Sequence, residues 1–162
     1  MLSIAICDDE TLYVQQTENF VQEYLRCHPE CSGQVHTFRH GQELLCHVEE
    51  TGGFDLYLLD IVMPGLNGIQ TGQRLRELGN GGEIVYLTTS PDYAVDSYSV
   101  RAFFYLLKPI KKVRLFEVLN AAVEKLNDRR CRAVLVTTRD GPRRILLDQI
   151  LYVERVGRSL RY

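Results

Sequence analysis

No stretch of this chain approaches the ~20 consecutive apolar residues that a membrane-spanning helix needs. The N-terminus carries neither a basic region nor a small-residue cleavage pattern, so no secretory leader is expected. The expected compartment is the cytoplasm, with no membrane association. Internal repeats and low-complexity tracts are also missing, which excludes solenoid and disordered polar architectures. The five cysteines (Cys7, Cys27, Cys31, Cys46 and Cys131) are expected to be reduced thiols in that compartment. Three of them, Cys27, Cys31 and Cys46, mingle with His28, His36, His40 and His47, but their spacing matches no closed tetrahedral metal pattern. Pro29 and Gly33 end any helix that would carry Cys27 and Cys31 on one face. These residues are read as ordinary surface and core positions.

What is present suits a globular protein. The 162 residues are 45% hydrophobic and 25% charged, enough for one sizeable core and a small appendage. Charge is unevenly spread. Residues 1–131 hold 12 Lys/Arg against 18 Asp/Glu, a balance of -6, whereas residues 132–162 hold 7 Arg against 3 acids, a balance of +4. Two units with different partners are expected. A basic tail suits a polyanion, and equally a solvated face.

Apolar runs at residues 2–7, 33–38, 54–60, 83–88 and 102–107 have strand length. Between them, helical periodicity appears over 11–26 and 42–50, from Asn67-Gly68 to Gly79, from the Ser90-Pro91 start to about Ser99, and over 111–128. Five strands alternating with five helices predict an α/β fold with a doubly wound parallel sheet. Beyond residue 130 the pattern changes to strands at 132–138, 143–147 and 150–154, with Asp140-Gly141 as a hairpin signal. Three short strands barely bury a core. The chain is expected to be cut short within a second, all-β unit.

Ligands of open parallel sheets bind beyond the carboxyl ends of the strands. Asp8 and Asp9, Asp60, Thr88 and Lys108 all fall at such ends. Singly, each has an ordinary reading. Adjacent aspartates cap helices, a lysine snorkels, and a threonine suits a strand. Together they form a cleft for a hard dication and a phosphoryl group. Asp9 and Asp60 would ligate Mg²⁺ directly, with Asp8 acting directly or through water. Asp60 can attack phosphorus to give an acyl phosphate, Lys108 neutralises developing charge, and Thr88 offers a hydroxyl.

The strings CDDE (7–10), LLDIVMPGLNGI (58–69), LTTS (87–90) and FYLLKPI (104–110) together resemble the receiver domain of bacterial two-component response regulators. The resemblance runs from residue 1 to about 125. It implies a flavodoxin-like sheet of order 2-1-3-4-5. It implies that Asp60 accepts a phosphoryl group from a phosphohistidine on a sensor histidine kinase. Asp8, Asp9 and Asp60 would form the Mg²⁺ pocket, with the backbone carbonyl of Val62 as a further ligand. Thr88 and Lys108 would contact the phosphoryl group, Tyr105 would be the aromatic switch, and the Lys108–Pro109 peptide would be cis. The string 90–110 is similar to regulators of the LytTR class, and VTTRDGPRRILLDQILYVE (136–154) resembles the opening strands of a LytTR DNA-binding domain. The implied organisation is a receiver at 1–128, a linker at 129–132 and the first third of that domain at 133–162. DNA binding is expected of the complete regulator rather than of this chain, with Arg139, Arg143, Arg144, Arg155 and Arg158 as phosphate contacts or as solvated edge charges. Homodimerisation on phosphorylation is expected through the region from about 91 to 128. The chain would be a switch that gains and loses its own phosphoryl group rather than a turnover enzyme.

Other classes remain on the table. An aspartate-nucleophile phosphatase also uses a strand-end Asp with Mg²⁺, but usually with two aspartates two apart rather than adjacent as in Asp8-Asp9. A stand-alone receiver acting through protein partners needs no DNA-binding part. A flavin binder would need a phosphate loop rich in Ser, Thr and Gly after the first strand, where this chain has acids.

Overall fold

In a computed structural model, the described residues are 1–89, 102–131, 133–138, 141–146, 154–156 and 159–161. The chain divides into two compact units, Met1–Ala122 and Val123–Tyr162.

In the first unit the apolar runs become β1 (Leu2–Cys7), β2 (Gly33–Phe38), β3 (Leu56–Asp60), β4 (Glu83–Thr88) and β5 (Phe104–Leu107). All neighbours pair in parallel, in the order β2-β1-β3-β4-β5. This is the flavodoxin-like order. Every residue of β3 and β4 is buried, as a central strand covered on both faces requires. Leu56, Leu58 and Leu59 are wholly buried, and each such side chain stabilises the fold by about 1.5–3 kcal/mol.

Two strands begin later than their apolar runs suggest. Asp55 is the reason for β3: its Oδ2 accepts from both the backbone N–H and the hydroxyl of Ser3, at 2.9 and 3.0 Å. Regular pairing therefore starts one residue on, with Ile4 opposite Leu56. β5 starts at Phe104, opposite Val85, rather than at Ala102.

Four helices are described: α1 (Thr11–Cys27), α2 (Gly41–Thr51), α3 (Gly68–Glu77) and α4 (Lys112–Cys131). The helix expected from Ser90-Pro91 to Ser99 lies outside the described residues. α3 is bounded by two local signals. At its start, the Asn67 side chain accepts from the Gln70 N–H while the Gln70 side chain accepts from the Asn67 N–H, a reciprocal capping box. At its end, Gly79 sits at φ 74°, and Asn80 N–H donates to Leu75 C=O. α4 runs to Cys131, three residues beyond the helix expected at 111–128, because no Gly or Pro interrupts it.

In the second unit, β6 (Ala133–Thr138) and β7 (Gly141–Leu146) pair antiparallel, with Thr138 opposite Gly141. Gly141, at φ 112°, opens the returning strand. β8 (Glu154–Val156) and β9 (Ser159–Arg161) form a second antiparallel pair. A three-residue strand such as β9 leaves no readable period in the sequence.

Gly68 N–H donates to Ile61 C=O at 3.0 Å, so α3 begins against the backbone that follows Asp60. A Cβ at Gly68 would drive into the Asp60 carbonyl oxygen. Gly68→Ala is expected to lower unfolding free energy by about 2–3 kcal/mol, read as a lower urea midpoint with an unchanged slope.

Candidate functional site

Parallel register puts the ends of β1, β3, β4 and β5 side by side. Cys7 faces Leu59, Asp60 faces Leu87 and Thr88 faces Leu107. The residues immediately after or at these ends are Asp8 and Asp9, Asp60, Thr88 and Lys108. The structure brings all of them to one edge of the sheet.

Lys108 organises the site. Its Nζ lies 2.7 Å from Asp8 Oδ2 and 3.0 Å from Asp60 Oδ2. All three side chains are almost wholly shielded from solvent. Lys108 N–H also donates to Thr88 C=O at 2.7 Å, which ties the lysine's backbone to the end of β4. The following Lys108–Pro109 peptide is cis. Carboxylate oxygens of Asp8, Asp9 and Asp60 lie within 4.8 Å of one another. Asp8 does not cap α1, whose N-cap Glu10 makes no side-chain cap bond; its Oδ1 accepts from Glu10 N–H at 3.0 Å in the loop before the helix. Its other oxygen faces the lysine. Asp60 Oδ1 accepts from Val62 N–H at 3.3 Å.

The electrostatics follow from burial. Burial pushes the Asp60 carboxyl above the usual 3.8; the Lys108 ammonium pulls it back, and the nearby Asp8 charge adds to the rise. Burial alone would lower Lys108, but bonds and charges from Asp8 and Asp60 overcome this and hold it above 10.5. Its pairing is therefore complete at neutral pH and is lost only as pH rises through the range above 10.5. Beneath the carboxylates, burial and the surrounding acids push the Cys7 thiol up to about 12. Its Sγ contacts Met63 Sδ at 3.7 Å.

A dication fits this donor set. Three carboxylates converge and one ammonium pairs with two of them, leaving a balance of -2 in a site lined by hard oxygens. Among the described residues this is the only group of three or more acidic, His or Cys ligands that converge. The rings of His36 and His47 instead sit among Phe38 and Phe54, with His47 stacked on Phe54 at 5.6 Å.

The other expected site residues are placed as follows. Thr88 is fully buried as the last residue of β4. Val62 is half-exposed. Tyr105 is half-buried and packs, with Ala102 and Leu66, on the cluster of core side chains between β3, β4 and α2.

Two residues at the site escaped the sequence reading. Arg39, just after β2, donates from one guanidinium nitrogen to the Asp9 carbonyl and from another to Thr11 Oγ at 2.6 Å. Nothing in the local sequence marks it. Tyr13, in the first turn of α1, places its ring centroid 4.1 Å from Lys108 Nζ.

Lys108→Met keeps the stem and removes the charge, leaving Asp8 and Asp60 buried without a cation. The expected loss is about 3 kcal/mol of unfolding free energy at neutral pH. A buried acid whose pKa is raised is most stable protonated, so the deficit should shrink as pH falls toward 3.8. Denaturant titrations of both proteins across that range check this.

Comparison with known proteins places this geometry in a family. The profile of the response regulator receiver domain matches residues 4–120. The positive alginate biosynthesis regulatory protein of Pseudomonas aeruginosa is 31% identical over 124 residues, covering 75% of this chain and 47% of the relative. The transcriptional regulatory protein YpdB of Escherichia coli K12 is 25% identical over 159 residues, covering 96% of this chain and 63% of that protein. The chain thus spans about half to two thirds of the length of these curated relatives. Two solved structures share the fold. The response regulatory domain of mrkE from Klebsiella pneumoniae has a TM-score of 0.68 at 23% identity, covering 78% of this chain and 99% of that one. The CheY-like receiver domain from Methanospirillum hungatei also has a TM-score of 0.68, at 22% identity, covering 79% of this chain and 98% of that one. Among the described residues no helix is long and apolar enough to cross a membrane. With its acids and lysine gathered at the edge of a 2-1-3-4-5 sheet, the chain belongs to the response regulator receiver domain family.

Proposed function

We propose that this chain is a Mg²⁺-dependent phosphorylation switch of a two-component system. In this reading Asp60 accepts a phosphoryl group from the phosphohistidine of a sensor histidine kinase in the cytoplasm. The observation that carries it is Lys108 bridging Asp8 and Asp60 beside Asp9, at the carboxyl edge of a parallel sheet.

Asp8, Asp9, Asp60 and the backbone carbonyl of Val62 would hold the metal. Bound there, Mg²⁺ supplies charge neutralisation for the phosphoryl oxygens. Asp60 attacks phosphorus through a carboxylate oxygen. A P–O bond forms, the P–N bond of the donor breaks, and the electron pair leaves on the imidazole nitrogen. Lys108 exchanges part of its contact with Asp60 for a phosphoryl oxygen, and a point-charge ammonium on a flexible stem suits that exchange. Thr88 offers its hydroxyl to the same group. Tyr105, next to β4 through its pairing with Tyr86, turns with Thr88 and carries the change to the output face. That face is the region from about 91 to 128, through which two copies would associate.

The strings that resemble LytTR regulators support a transcriptional output, as do the regulators of transcription among the relatives. In this reading the receiver spans 1–128, the linker 129–132, and residues 133–162 are the opening strands of a LytTR DNA-binding domain. The paired strands β6–β7 suit that reading. DNA contact belongs to the complete regulator.

Incubation with a small phosphodonor and Mg²⁺ should add one phosphoryl group, seen by intact mass. Asp60→Asn should add none, and chelation of Mg²⁺ should abolish the gain. A gain that persists in the variant moves the acceptor elsewhere, and steady release of phosphate from a phosphomonoester would point to a phosphatase.

Val62 is half-exposed and apolar two residues after the acceptor, so it cannot orient water for attack on the acyl phosphate. Val62→Asn is expected to shorten the lifetime of the phosphorylated form several-fold, followed by loss of mass with time. Sedimentation with a phosphoryl mimic should show a heavier species than sedimentation without it.

A further inference from the structure

We infer that Tyr13 is a positioning residue for Lys108, holding the ammonium by its ring face so that it can pass from Asp60 to an arriving phosphoryl oxygen. This rests on the phosphoacceptor reading above. The ring centroid lies 4.1 Å from Nζ, well inside the ~6 Å range of an effective cation–π contact. The Lys108 side chain is 1% exposed, so water does not compete for the charge, and this is the setting in which such contacts are strongest.

The geometry divides the work among three partners. Asp8 Oδ2 and Asp60 Oδ2 take the ammonium at 2.7 and 3.0 Å, and the ring supplies a further, uncharged contact. That difference matters for transfer. A third carboxylate would fix the ammonium and add to the negative charge that an incoming phosphoryl group must approach. A ring face attracts the cation without consuming a hydrogen-bond direction, and its attraction changes little when the ammonium shifts between neighbouring oxygens. Tyr13 stands in the first turn of α1, directly after the loop bearing Asp8 and Asp9. The loop that carries the acids therefore leads directly into the helical turn that carries the clamp on the lysine.

Three variants separate the ring face from mere bulk. Tyr13→Phe keeps the face, Tyr13→Leu keeps much of the volume without it, and Tyr13→Ala removes both. The initial rate of phosphorylation by acetyl phosphate with saturating Mg²⁺ should stay within about two-fold of the parent in Tyr13→Phe. It should fall about three- to thirty-fold in Tyr13→Leu, the span from an exposed to a desolvated cation–π contact. Tyr13→Ala should be no faster than Tyr13→Leu. The Lys108 side-chain methylene protons closest to Nζ should show a ring-current shift by NMR in the parent and in Tyr13→Phe, and lose it in Tyr13→Leu. Mg²⁺ affinity should be the same in all four proteins.

Equal rates for the parent and Tyr13→Leu would overturn the assignment. So would equal losses in Tyr13→Phe and Tyr13→Leu, which would point to the hydroxyl or to packing. A parent chain that takes up no phosphoryl group would overturn the phosphoacceptor reading itself, and with it the role given to Tyr13. A phosphorylated parent with an unaffected Tyr13→Leu removes only the role.

Discussion

The site depends on one imbalance: three carboxylates crowd together at the edge of a buried sheet, and one ammonium answers them. Ionised acids out of water repel one another and resist charging, which is why the Asp60 carboxyl sits high despite a lysine at 3.0 Å. The fold holds this unfavourable grouping because each acid ends or follows a strand that is itself deeply buried. β1 and β3 are fixed against each other by Ile4–Leu56 through Cys7–Leu59 pairing, so Asp8 and Asp60 cannot move apart without breaking the sheet. Carboxyl groups held this close by a buried scaffold, with a pKa shifted by burial and by a charged neighbour, are what sites of chemistry share.

The surroundings work to the same end. Gly68 lets α3 start against the Asp60 carbonyl, the Asn67–Gln70 capping box fixes that start, and Arg39 pins the Asp9 carbonyl from across the β2–α2 connection. A ring on α1 closes over the lysine. Backbone and side chains together set the position of the charged groups at the edge, while Val62, two residues after Asp60, is half-exposed.

Much of this was legible in the amino-acid order. Strand runs that end in Asp, Thr and Lys reveal the site because parallel pairing forces their ends together, and the Asn67 and Gly79 signals mark α3 with little error. What stayed hidden depends on contacts between distant residues. The β3 run looks apolar from Phe54, but Asp55 is turned aside to Ser3. Tyr13 reads as a core position because helical period does not distinguish a ring facing leucines from one facing an ammonium. Arg39 lies in a connection with no pattern at all. In the second unit, the Asp140-Gly141 pair announces a hairpin but not its register, since Gly141 at positive φ serves at the first position of a strand as well as inside a turn.

The sulfur pair beneath the acceptor has a chemical consequence of its own. Cys7 is sealed from solvent and held as a neutral thiol first by that burial and then by the acids nearby, whereas Cys27 and Cys46 stand at the surface. Peroxide or an alkylating reagent diffusing in the medium meets the outer two and passes the inner one by. The last residue of β1, next in sequence to Asp8, is thereby insulated from the redox state of its surroundings.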